Sequence, residues 1–251
     1  KKGVAVFSLE MSSVQLITRL ISSETGLSSE KLRKGKLEDY EWQQLHAKIK
    51  NLEKAPLFID DTPALSVFDL RAKCRRLVAQ HNVEVIIIDY LQLMTAGGDS
   101  KGNREQEIST ISRSLKSIAK ELSVPVIALS QLSRAVETRG GSKRPLLSDL
   151  RESGAIEQDA DIVSFIFRPE YYGLTEWDDD DATPCEGQAE FIIAKHRNGG
   201  LDNIRMKFIG HLAQFSNLET DDGYATEFTS KMNANDAFGD PSEDEYDDSP
   251  F

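Results

Sequence analysis

Three apolar, β-rich runs each end in a side chain suited to handling phosphates and water. Residues 4–9 lead into Glu10, residues 86–88 into Asp89, and residues 126–130 into Gln131. An acid closing a buried parallel strand sits at the carboxyl edge of the sheet, where α/β folds gather their ligands. A carboxylate at Asp89 can support Mg2+ there, or it can merely cap a turn. Glu10 can polarise an attacking water, or simply open the next helix, where the dipole favours an acid. A glutamine amide at 131 can sense a γ-phosphate, since phosphoryl transfer needs a positioned water and stabilisation of spread-out charge. Singly each residue leaves both readings open; together they form a constellation on adjacent strand ends.

The elements that must position these residues are written in the hydrophobic pattern. Residues 4–9 (VAVFSL) predict a strand, and Ser12 with Gln15 forms a capping-box start for a helix carrying Leu16, Ile17, Leu20 and Ile21. Leu37, Trp42, Leu45 and Ile49 space a helix over 37–52, and 57–59 is a short strand ending at Asp60-Asp61. Ser66 with Asp69 caps a helix running to about Gln80. Residues 83–89 (VEVIIID) are nearly all apolar and β-branched, the mark of a central strand covered on both faces. Ile108, Ile111, Leu115 and Ile118 predict an amphipathic helix over 105–122, followed by a buried strand at 124–129. Later strands are predicted at 162–167, 189–194 and 204–209. Strands alternating with helices predict an α/β fold built on a mostly parallel sheet flanked by helices. Residues 95–102, 138–143 (TRGGSK) and 172–187, with its Asp run, predict mobile loops. From about 215 hydrophobic density falls and acids dominate. The chain is therefore expected to divide into a folded domain over 1–214 and a disordered acidic tail over 215–251.

The 251 residues carry 42 Asp/Glu against 30 Lys/Arg, a formal net charge of −12. That sum argues against a polyanion partner, but its distribution reverses the inference. Residues 215–251 hold 11 acids and one Lys, and 170–190 hold eight acids with no Lys or Arg, leaving 29 bases against 23 acids elsewhere. A nucleic-acid partner is permitted. With 39% hydrophobic and 29% charged residues, the chain is neither collagen-like nor wholly disordered. Cys74 and Cys185 show no CxxC spacing and no histidines at metal spacing, which argues against a zinc or disulfide framework and fits a reducing cytosol. No apolar run reaches the length of about 18 residues that a membrane span needs, so no membrane association is expected. The start at Lys1-Lys2, without Met and almost at once in a strand, predicts that upstream residues are missing.

Five ordered blocks carry a resemblance to a known family: SLEMS at 8–12, IIIDYLQLM at 86–94, ALSQLSR at 128–134, LSDLRESGAIEQDAD at 147–161 and AKHRNG at 194–199. Over about residues 1–210 the chain resembles the C-terminal, RecA-like motor domain of the bacterial DnaB-family replicative DNA helicases. The resemblance implies an ATPase using ATP and Mg2+ that assembles as a homohexameric ring, encircles single-stranded DNA and unwinds the replication fork. It also implies a bacterial, nucleoid-associated cytoplasmic location, with primase and a helicase loader as partners. By position, Glu10 resembles the catalytic glutamate that activates water, Asp89 the Walker B aspartate that supports Mg2+ indirectly, and Gln131 the sensor linking the γ-phosphate to the DNA loops. Lys195 and Arg197 resemble the basic pair that reaches into the neighbouring subunit's nucleotide site. A guanidinium supplied in trans adds charge where it develops on phosphoryl oxygens. Without the other blocks these two would read as an exposed basic turn. Arg151, Glu152 and Gly154 match the family's DNA-backbone-binding loop, Gly154 allowing close approach of a backbone N–H, Arg151 adding charge and Glu152 positioning. Arg134, Arg139, Lys143 and Arg144 flank the Gly-Gly loop and are secondary candidates for lining the channel. Phosphate-directed binding predicts little sequence preference and strong salt dependence.

The chain departs from the family pattern in one place that matters for chemistry. No G-x-x-x-x-G-K-[ST] occurs; the nearest approach, 97–102, is followed by Asn103 rather than Lys. In the family that phosphate cradle precedes the strand matching 4–9, which predicts a start just downstream of it, with the N-terminal helical domain also absent. The 251 residues alone are therefore expected neither to bind ATP well nor to hydrolyse it. Two other functions compete. A RecA-like ATPase of recombination or clock type is disfavoured by LRESGAIEQDAD followed by KHRNG, and a catalytically silent RecA-like DNA-binding regulator or adaptor by the joint presence of Glu10, Asp89 and Arg197. The end of the chain, YDDSPF, is similar to the C-terminal tips of bacterial single-stranded DNA-binding proteins. That likeness implies a partner with a pocket for Pro250-Phe251, or a tail that competes with DNA for the basic channel; a merely solubilising tail is the other reading.

Overall fold

The computed structural model describes residues 1–97, 103–150, 154–179 and 182–218. Of the tail expected over 215–251, residues 219–251 lie outside the described residues, as do Arg151 and Glu152, while 215–217 fall in a strand. The chain runs β1 (Gly3–Ser8), α1 (Ser13–Thr25), α2 (Ser29–Lys34), α3 (Asp39–Glu53), β2 (Leu57–Asp60), α4 (Val67–His81), β3 (Val83–Asp89), α5 (Arg104–Leu122) and β4 (Val126–Ala128). It continues through the short helices α6 (Ala135–Thr138) and α7 (Gly154–Asp159) to β5 (Ile162–Phe167), β6 (Gln188–His196), β7 (Asp202–Ile209) and β8 (Gln214–Asn217). Residues 1–218 form one compact unit. No helix among the described residues is long and apolar enough to cross a membrane.

Local chemistry sets the boundaries of the first half. Ser12 and Gln15 close the expected capping box, and α1 stops at Gly26 with φ 78°, a left-handed cap. Ser66 accepts the Asp69 N–H to start α4, and Asn82 at φ 49° turns its end into β3. The strand predicted over 124–129 contracts to β4 because Pro125 has no N–H to give the ladder; its carbonyl accepts from Ile86 N instead, at 3.1 Å. The four strands form a parallel sheet in the order β2-β1-β3-β4, so β1 and β3 are central, as the continuous apolar run of β3 predicts. Phe7, Ile86 and Ile88 are fully buried with Ile108, Ile111, Leu115 and Ile118 of α5 and Leu70 and Cys74 of α4. Each such burial stabilises the fold by about 1.5–3 kcal/mol. Gly3 lets β1 start flush against β3, because a Cβ there would lie 2.8 Å from the Asn82 carbonyl oxygen.

The later strands do not continue that sheet. They form a second, antiparallel sheet in the order β5-β6-β7-β8. A parallel return needs a crossover helix, and among the described residues none lies between these strands: β6 and β7 are joined by a tight turn at residues 197–201. The parallel expectation therefore holds for the first sheet only.

Two stretches expected as mobile loops are anchored where described. In 172–187, Trp177 is 3% exposed and Cys185 fully buried, packed with Phe165, Phe167 and Ile192. Arg205 lies 4.4 Å from the Trp177 ring and pairs with Asp179 at 2.7 Å. Around 138–143, Arg139 donates to both carboxylate oxygens of buried Asp149, at 3.0 and 3.1 Å, and Lys143 donates to the Glu137 and Arg139 carbonyls. Arg144 pairs with Asp178 and with buried Glu190 while stacking over Phe167. Arg139, Lys143 and Arg144 thus have intramolecular partners that hold these segments; Arg134 alone of the four is exposed without such a partner among the described residues.

Burial pushes the Glu190 carboxyl above its ordinary range, opposed by Arg144. Arg144→Met is expected to cost about 2 kcal/mol in urea unfolding by leaving Glu190 unpaired. Because the carboxyl is raised, the loss should grow as pH rises through its titration, and Glu190→Gln in the same chain should recover most of it.

Candidate active site at the sheet edge

The parallel order brings the ends of β1, β3 and β4 to one edge. Ser8 lies in register with Asp89, and Leu9 N–H donates to the Asp89 carbonyl at 2.7 Å, so pairing continues one residue past β1 and delivers Glu10 beside Asp89. Ser8, buried, donates its hydroxyl to the Met11 carbonyl at 2.8 Å and fixes the turn that carries Glu10. The Asp89–Tyr90 peptide is cis. On the other side, Leu129 N–H donates to the Ile88 carbonyl at 2.9 Å and Gln131 follows just beyond. The three predicted strand-tip residues are thus neighbours on one edge.

Four carboxylates occupy that edge, and two of them are engaged. Asp60 takes Lys73 at 2.6 Å and Asp61 accepts the Ser13 N–H at 2.8 Å, capping α1; contacts of this kind hold both below the usual carboxylate range despite partial burial of Asp60. Among the described residues neither the Glu10 nor the Asp89 side chain has a hydrogen-bond or ion-pair partner. Burial first, and then the like charge of Glu10, push the Asp89 carboxyl up, with Arg19 opposing. Arg19 of α1 was not singled out from sequence: its only signal is a lone cation on the helix after Glu10, and nothing local says that it faces Asp89.

Beside Gln131 a cavity of about 390 Å³ opens, with Ser133, Arg134, Glu137 and Tyr172 in its wall. Burial, then Glu137, raise the Tyr172 hydroxyl above its ordinary range.

Lys195 and Arg197 are not at this edge. They lie at and just past the end of β6, where Lys195 Nζ donates to the Glu157 carbonyl and Arg197 donates to the Gln158 carbonyl at 3.2 Å. Arg197 also pairs with Asp161 at 3.2 Å, which in turn binds Lys116 of α5. Both basic residues therefore cap the last turn of α7, the helix whose first residue is Gly154. Lys116 and Asp161 were likewise missed from sequence, since their partners are far off along the chain. A Cβ on Gly154 would meet nothing within 4 Å among the described residues.

Residues 1–217 match the family model described as "DnaB-like helicase C terminal domain". The "Replicative DNA helicase DnaB" of Geobacillus stearothermophilus is 50% identical over 218 residues, 87% of this chain and 46% of the relative. The "Replicative DNA helicase DnaC" of Bacillus subtilis (strain 168) is 49% identical over the same shares. The chain thus spans about half the length of the curated relatives it matches, 46% in both cases. A solved structure described as "The Structure Of A DnaB-Like Replicative Helicase And Its Interactions With Primase" superposes with a TM-score of 0.78 at 38% identity, covering 87% of this chain and 51% of that one. A second solved structure, described as an "ATPase Domain", also gives 0.78 and 38%, covering 87% of this chain and 75% of that one.

Because the Asp89 carboxyl is raised in the folded protein, it binds its proton more tightly folded than unfolded, and stability falls as pH rises through its titration. Asp89→Asn is expected to raise the melting temperature at neutral pH, with the difference vanishing once acid protonates the wild-type carboxyl; melts across pH check this.

Proposed function

The chain belongs to the DnaB-like helicase C-terminal domain family, and from that premise we propose that it is the motor segment of an ATP-driven, ring-forming replicative DNA helicase. The observation that carries the reading is the unpartnered carboxylate pair Glu10 and Asp89 on in-register strands, with Gln131 on the next strand tip. Two crowded carboxylates, offset by Arg19 but with no ion-pair partner among the described residues, fit Mg2+, which takes one or two carboxylates and otherwise phosphates and water. Bound Mg2+ would neutralise charge across the terminal phosphates of ATP. Asp89 would hold the ion through its water shell, Glu10 would orient the attacking water and take its proton, and the Gln131 amide would contact the γ-phosphate. Lys195 and Arg197 would serve the site of the next subunit in a homohexamer, reaching it from the end of α7.

Single-stranded DNA would bind at the segment of Arg151, Glu152 and Gly154. The space around Gly154, free of any described atom within 4 Å of an added Cβ, supports a backbone–phosphate approach. Primase and a loader are the partner classes this reading carries with it. The 251 residues contain no G-x-x-x-x-G-K-[ST] cradle, so activity belongs to the whole protein that carries this chain.

In that whole protein, ATP hydrolysis is expected to be stimulated by single-stranded DNA. Glu10→Gln should lower kcat about 100-fold or more, and Arg197→Ala subunits mixed into wild-type rings should silence their neighbours. A whole wild-type protein that binds DNA without hydrolysing ATP would reject the motor reading in favour of a silent DNA-binding module. For the acidic tail, we take Pro250-Phe251 as a docking tip for a basic, Phe-accepting pocket on a replication partner; deleting the two residues should weaken that binding at least about tenfold, and unchanged affinity would dismiss the tip.

A further inference from the structure

Gln92 lies in the turn of 3-10 helix, Leu91–Leu93, that follows β3. Its side chain crosses to the neighbouring strand tip: Oε1 accepts the Gln131 backbone N–H at 3.2 Å, and Nε2 donates to Ser130 Oγ at 2.9 Å. Both ends of the amide are engaged, and each engages the segment that carries Gln131. The β3–β4 ladder has already ended there. Its last main-chain links are Leu129 N–H to the Ile88 carbonyl and Leu91 N–H to the Leu129 carbonyl, both at 2.9 Å. Beyond Leu129, Gln131 is exposed, and the Gln92 amide is its one hydrogen-bond partner among the described residues.

The foot of this strut is itself fixed. Arg104, the first residue of α5, donates to the Gln92 carbonyl at 2.6 Å and pairs with Glu107. Glu107 accepts the Ala96 N–H at 3.2 Å, tying the segment after the turn to the same helix. Helix α5 is immobilised by its buried apolar face. The chain of contacts thus runs from a packed helix, through Arg104 and Gln92, to the Gln131 main chain.

We propose that Gln92 is the positioning residue of the active edge, holding Gln131 at a set distance from Glu10 and Asp89; this rests on the reading of Gln131 as the γ-phosphate contact. Gln92 does not touch substrate in this arrangement. It removes the freedom of a strand tip that would otherwise swing, and a misplacement of about 1 Å at a reacting centre can cost about 100-fold in rate.

The experiment uses the whole protein with Gln92→Met, which keeps the side chain's length but neither hydrogen bond, alongside Gln131→Ala and the double variant. Hydrogen–deuterium exchange of the nucleotide-free protein should accelerate at residues 129–132 in Gln92→Met and stay unchanged at 86–89. With ATP and single-stranded DNA, kcat should fall about tenfold or more while KM changes less than about twofold, and Gln92→Met should add nothing in the Gln131→Ala background. Ser130→Ala, which removes one anchor only, should reproduce the exchange pattern at smaller amplitude and serves if Gln92→Met does not fold. Unchanged exchange at 129–132, or kinetic losses that add in the double variant, would overturn the proposal. A wild-type protein without DNA-stimulated hydrolysis, in which exchange still responds, would overturn the motor reading and leave the strut standing.

Discussion

The in-register parallel pairing of β1 with β3, packed on α5, is the constraint from which the rest of the site follows. Ser8 opposite Asp89 and the bond from Leu9 to the Asp89 carbonyl set where Glu10 emerges. Side chains alternate along a strand, so a slip of one residue would exchange buried and open faces and carry Asp89 away from Glu10. The slip is opposed by the whole core: Phe7, Ile86 and Ile88 are seated against α5 and would have to leave it together. Packing energy thus fixes the position of two carboxylates that repel each other.

Charge is handled in opposite ways in the two sheets. At the parallel edge Asp60 and Asp61 are neutralised by Lys73 and by the start of α1, while Glu10 and Asp89 are left facing each other with only Arg19 to offset them. In the antiparallel half three acids have basic partners. Asp178 and Glu190 share Arg144, Asp179 takes Arg205, and the two guanidiniums lie over Phe167 and Trp177. A segment that looks repulsive in sequence is held by ion pairs and aromatic stacking.

The two sheets meet mechanically at α7. Lys195 and Arg197 from the antiparallel sheet hold its last carbonyls, Asp161 joins Arg197 to Lys116 of α5, and Ile156 packs into the core under the parallel sheet. The helix that starts at Gly154 is therefore braced from both sides. Any motion of the basic pair must move α7 or break its cap.

The pattern of residue types by itself marked most strands and helices of the first half, though not the short α2, because each depends on local terms: caps at Ser12 and Ser66, the β-branched run before Asp89, the apolar stripe of α5. It also marked Glu10, Asp89 and Gln131, since a polar residue ending a buried strand is visible without knowing its neighbours. What the tertiary structure decided was everything set by contacts between distant residues. Gln92 meets Gln131 across 39 positions, Arg144 meets Glu190 across 46 and Lys116 meets Asp161 across 45. The antiparallel turn of the second sheet, the anchoring of Trp177 and the opposition of Arg19 to Asp89 are of the same kind. Local propensity acts over a few residues, whereas which side chain faces which is settled only when the hydrophobic faces close on one another.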